Sequence, residues 1–133
     1  MHFASPTRLV SAMSLAAALV ACASFPQPFS QIDGHKYHAV PIDTYPVQIV
    51  SVDGRGTSSS PVFIDPGVRQ ITVQGPPDGV HRYGEQRSIE LNIAPCTRYY
   101  LVALKPNRLS PDFSVQIDHQ EPLAGCSTAV APK

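Results

Sequence analysis

Apolar and polar residues alternate with a period of two along much of this chain. The cleanest series is Ile89, Leu91 and Ile93 set against Ser88, Glu90 and Asn92. Val47 and Ile49 flank Gln48, Ile71 and Val73 sit among Gln70 and Thr72, and Phe113, Val115 and Ile117 alternate with Ser114, Gln116 and Asp118. Such alternation puts one series on each face of a strand. Arg98–Leu104 is apolar on both faces, as a central strand covered on both sides would be. Val62–Ile64 predicts a short strand, Tyr45–Val52 a longer one, and Tyr37–Pro41 a weak first one.

Turn signals separate these runs: Asp53-Gly54-Arg55-Gly56 followed by Thr57 and three serines, Asp65-Pro66-Gly67, a polar loop from Gly75 through Arg87, and Lys105–Asp112. Fourteen prolines and eight glycines in 133 residues disfavour long helices. About seven short strands with no helix predict an all-β fold, a small immunoglobulin- or transthyretin-like β-sandwich. Its expected core is the alternating apolar series above together with Ile64, Tyr99, Leu101 and Ala103.

The N-terminus breaks the pattern. Arg8 is the only formal charge before Asp33, and Leu9–Ala21 is an uncharged, Ala- and Leu-rich run. It is shorter than the ~20 residues that a membrane-crossing helix needs. A basic start, a short apolar stretch and small residues at its end make a cleaved secretory signal peptide over residues 1–21. Residues 22–34, with Phe25-Pro-Gln-Pro-Phe29, read as a tether, residues 35–126 as the sandwich domain and residues 127–133 as a tail. The two tether phenylalanines could dip into a lipid surface or cap the domain.

The apolar run ends Leu19-Val20-Ala21-Cys22, which resembles the lipobox of bacterial lipoproteins. The resemblance implies a diacylglyceryl group on the Cys22 sulfur, cleavage before Cys22 and acylation of its new amine. Two or more acyl chains give stable anchoring where one is marginal. In that family an Asp after the cysteine commonly retains the protein in the inner membrane; Ala23 stands here instead and points to the outer membrane, with the domain in the periplasm. A second resemblance rests on Val52-Asp-Gly54, Pro61–Ile64, Asp65-Pro-Gly67 and the Arg69–Val73 alternation, which look like the PEGA family of small bacterial β domains. The stretch from Ala94 to Cys126 is similar to the second half of uncharacterised Gram-negative lipoproteins. Neither likeness brings a catalytic residue.

Charge and candidate chemistry narrow the picture further. Ten basic residues balance ten acidic ones, which argues against a nucleic-acid partner, since such proteins usually carry a basic excess. With Cys22 lipidated, Cys96 and Cys126 remain as an even pair in an oxidising compartment, and a disulfide is expected, with Cα atoms about 4.4–6.8 Å apart. His35 and His38 are three apart, a spacing that puts them on opposite faces of a strand; together with the isolated His81 and His119 they predict surface histidines and no metal site. There is no Gly-x-Ser-x-Gly elbow, no Cys–His arrangement and no phosphate-cradling glycine motif, so neither an enzyme nor a cofactor is expected. Arg and Tyr are favoured in interfaces, which makes His81, Arg82, Tyr83 and Arg87 the candidate contact loop. The sequence therefore predicts a non-catalytic lipoprotein whose periplasmic domain is a structural or protein-interaction module. The alternative is a small-ligand or cell-wall-glycan binder with a pocket lined by Tyr83, Tyr99 or Tyr100.

Overall fold

The computed structural model describes residues 28–39 and 42–126. The signal segment, Cys22 and the tail lie outside these residues. Two sheets pack face to face, and no helix occurs among the described residues. The strands are β1 (Ser30–Asp33), β2 (Thr44–Pro46), β3 (Gln48–Val52), β4 (Arg55–Gly56), β5 (Val62–Ile64), β6 (Gly67–Gln74), β7 (Gln86–Ile93), β8 (Thr97–Leu104) and β9 (Ser114–Pro122). In one sheet β8 is central: β9 pairs along one side, β1 (in parallel) and β2 share the other, and β5 pairs β1. The other sheet runs β4-β3-β6-β7, antiparallel throughout.

The core between the sheets contains Ile32, Ile71, Val73, Ile93, Leu101 and Ala103, each at most 2 % exposed. It also buries the expected Val47, Ile49, Ile64, Tyr99 and Phe113, while Ile89, Leu91 and Val115 pack against it half-buried. Leu101 and Val102 are both buried, on opposite faces of β8, as a central strand requires.

The sandwich agrees with the sequence reading, but the strands number nine, and four details differ. Ser30–Asp33, assigned above to the tether, forms β1; its one apolar residue, Ile32, gives too little alternation to be seen, yet Ile32 is fully buried. Tyr37–Ala39 bends instead of forming a strand. The Tyr45–Val52 run is cut at Val47 and serves both sheets, β2 in one and β3 in the other. There Val47 N–H donates to Gly34 O at 2.9 Å, and a Cβ on Gly34 would collide with the Val47 carbonyl, so only glycine permits the approach. Finally, Ile117 is 44 % exposed. It lies opposite Leu101 on the outermost strand, next to a bulge that inserts Asp118 between the Leu101↔Ile117 and Tyr100↔His119 pairs.

Candidate functional site

Two regions carry the chemistry. The first is the outer face of the β8 sheet, where alternation turns Arg98 and Tyr100 outward beside Glu121 and His119 of β9. Arg98 Nη2 donates to Asp33 Oδ2 at 2.6 Å, and its guanidinium lies 5.0 Å from the Tyr100 ring centre. The other Asp33 oxygen accepts from the His35 N–H at 3.0 Å and contacts His35 Nδ1 at 2.6 Å. Tyr100 donates its hydroxyl to Glu121 at 2.8 Å. The bulge turns Asp118 toward the 34–39 segment, where one of its oxygens accepts the N–H groups of Tyr37 and His38 at 2.8 and 3.0 Å. Tyr37 is thereby laid flat on His119, with ring centres 3.8 Å apart and planes 13° apart.

These contacts set the ionisation. Burial alone would raise the Asp33 carboxyl, but the Arg98 hydrogen bond and then the His35 contacts outweigh it and hold the group below the usual carboxylate range. For Asp118, burial again opposes, and the His38 and Tyr37 N–H bonds prevail, so its pKa is also lowered. Burial and the bond to Glu121 push the Tyr100 phenol up.

Loops gathered at one end of the sandwich form the second region. Lys105 N–H donates to Asp43 O, and Gly79 packs beside Leu109, so the 42–43, 75–85 and 105–113 segments meet. The base of the 75–85 loop is tight: Gly75 N–H donates to Glu85 O, and Gly84 lies against the Gly75 and Pro76 carbonyls so closely that a Cβ would collide with them. Within the loop, Asp78 accepts from the N–H groups of His81 and Val80 and pairs with the His81 ring; the His81 N–H bond, then the ring, then Val80 N–H draw its pKa down to about 2. Beyond this anchor Ile42, Val80, Tyr83 and Leu109 are each at least 75 % exposed. The Arg82 and Arg108 guanidinium groups have no partner among the described residues.

The chain matches no known protein family, no curated protein and no solved structure.

The sequence-predicted residues are distributed as follows. Cys96 and Cys126 are bridged with Cα atoms 5.4 Å apart, within the expected range. His81, Arg82 and Tyr83 are in the exposed loop, but Arg87 is not: it belongs to β7, pairs with Asp112 at 3.1 Å and lies 5.5 Å from the Phe113 ring centre. Tyr83, Tyr99 and Tyr100 line no common pocket. Tyr83 is at a loop tip and Tyr99 in the core, where its hydroxyl accepts the Ala94 N–H; Tyr100 faces outward. His35, His38 and His81 each pair with a carboxylate of their own, Asp33, Asp118 and Asp78. Phe29 packs edge-on against Phe63, which favours the domain-capping role for that residue; Phe25 lies outside the described residues. The outer-face cluster escaped sequence reading because the contacts that assemble it, Asp33 with Arg98 and Asp118 with Tyr37 and His38, join positions 65 to 81 apart. The one local signal was the His35-Lys-Tyr-His38 segment itself.

Proposed function

We propose that the chain is a bacterial lipoprotein, anchored through acylated Cys22 in the outer membrane, whose periplasmic, PEGA-like β-sandwich is a non-catalytic contact module for another envelope protein. The observation that carries this reading is the composition of the loop end. Exposed Val80, Tyr83 and Leu109 stand beside the Arg82 and Arg108 guanidinium groups, which have no partner among the described residues, on a loop fixed at its base. Apolar, tyrosine and arginine side chains together are what protein interfaces favour. The chain enters at the opposite end, beside the disulfide, so a tether there leaves these loops free to meet a partner.

A photo-crosslinking residue at Tyr83 or Leu109 in intact cells tests it. The expected result is a discrete adduct with one envelope protein, absent when the probe replaces exposed Val68 on the β6 face. Glycan adducts would favour the ligand- or cell-wall-binding reading, and no adduct at either loop position would overturn the module. The anchor is tested separately: Cys22→Ser should leave the precursor uncleaved or release a soluble protein, and a mature N-terminus at an unmodified Ala23 would refute it.

A further inference from the structure

Sheet edges expose unpaired N–H and C=O groups, and proteins guard them with short strands, prolines or bulges. Most edges here are guarded. β4 has two residues; β5 has three, between Pro61 and Pro66; β2 has three and ends in Pro46; β9 is bulged at Asp118 and ends in Pro122. β7 is the least guarded: its charges are Arg87, which pairs with Asp112, and Glu90. It has eight residues with neither proline nor lysine, and it pairs β6 in unbroken register from Gly67↔Ile93 to Gln74↔Gln86. Ile89 and Leu91 on its inner face are only half-buried.

The hydrogen-bond phase of that edge can be read off. Gly75 and Glu85 form a bonded pair continuing the same register. Bonded pairs alternate along an antiparallel ladder, so Arg87, Ile89 and Leu91 bond to β6, while Gln86, Ser88, Glu90 and Asn92 turn their backbone groups outward. Two such strands related by a two-fold axis overlap along almost their whole length in two registers. Centring on Glu90 sets Glu90 against its own copy. Centring on Ile89 sets Ile89 against Ile89, Ser88 against Glu90, Gln86 against Asn92 and Leu91 against Arg87. No like charges then lie opposite, and every outward backbone group from Gln86 to Asn92 finds a partner.

We infer that β7 is a self-pairing edge, and that a second copy of this chain adds its β7 antiparallel, centred on Ile89, joining two four-stranded sheets into one of eight. Such an interface is isologous, the usual form in a two-fold dimer.

Purified full chain carrying Ile89→Cys and treated with a mild thiol oxidant is the test. Opposed residues in a non-bonded pair have Cβ atoms about 4.5–5.5 Å apart, so a disulfide-linked dimer is expected, with much less from Glu90→Cys. Should Ile89→Cys fold poorly, exposed Ser88 serves without touching the core. Ser88→Glu faces Glu90 of the other copy twice and should weaken dimerisation roughly two- to thirty-fold, whereas Ser88→Lys should strengthen it, both read by sedimentation. A wild-type chain monomeric at every concentration, stronger crosslinking at position 90 than at 89, or a dimer that responds alike to both Ser88 changes would overturn the inference.

Discussion

Where the chain enters, the sandwich is closed by buried and covalent contacts. Ser30, fully buried, donates to Ala94 O at 2.6 Å and accepts the Thr97 N–H, and the Cys96–Cys126 bridge fastens the start of β8 to the chain leaving β9. At the far end three loops meet without a covalent tie, and one carboxylate, Asp78, organises the longest. The difference separates two kinds of construction in one small domain. Stability is concentrated where the chain enters, and exposed apolar and cationic groups are collected where their replacement costs the fold little.

Removing the bridge should blur that contrast most. Cys96→Ser with Cys126→Ser opens a loop of 30 positions and should cost roughly 3–4 kcal/mol by the chain-entropy account, measured as a lower denaturation midpoint. Cys96 also holds a φ of 52°, a conformation costly for any residue but glycine, so the serine chain loses the bridge and keeps the unfavourable turn. Ser30→Ala should come next. It removes two hydrogen bonds, leaving the part-buried Thr97 N–H and Ala94 carbonyl without that partner, at about 1 kcal/mol.

The outer-face and loop carboxylates give a pH-dependent version of the same contrast. Asp33, Asp118 and Asp78 all have lowered pKa values. Their contribution is therefore complete above about pH 4, the usual carboxylate value, and is lost as pH falls through the folded values, about 2 for Asp78. Amide protection relative to the free-chain exchange rate at Tyr37, His38, Val80 and His81 should be high at pH 5 and fall on acidification; Asp118→Asn should lower it at Tyr37 and His38 while leaving Val80 and His81 unchanged. Tyr83→Ala sits at the small extreme. Its stability should stay within about 0.5 kcal/mol of wild type; a larger fall would mean that the loop end also supports the fold.

What the sequence disclosed follows from how locally each feature is encoded. β6 and β7 are eight-residue strands whose alternation repeats often enough to be unmistakable, β8 stands out as apolar on both faces, and reading Cys22 as lipidated leaves Cys96 and Cys126 a single pairing. β1 has a single apolar residue, so its place between β8 and β5 depends wholly on tertiary packing. The β2–β3 division is set by a glycine 13 positions upstream, and the burial of Ile117 is undone by the edge position and bulge of β9. At the loop end His81, Arg82 and Tyr83 were legible as composition, whereas Ile42, Val80, Arg108 and Leu109 join them only through the meeting of three loops. The place of Arg87 was not legible, because the pattern could not show that β7 begins at Gln86.

The parallel pairing of β1 and β8 has a mechanical consequence. A pull on the chain ahead of Ser30 runs along the axis of β1, so its ladder bonds to β8 on one side and β5 on the other are strained together, in shear, instead of opening one after another. The domain can then be held by its N-terminal segment under drag without peeling from its first strand, and force reaching β8 passes through Cys96 into the far side of the sheet by a covalent path.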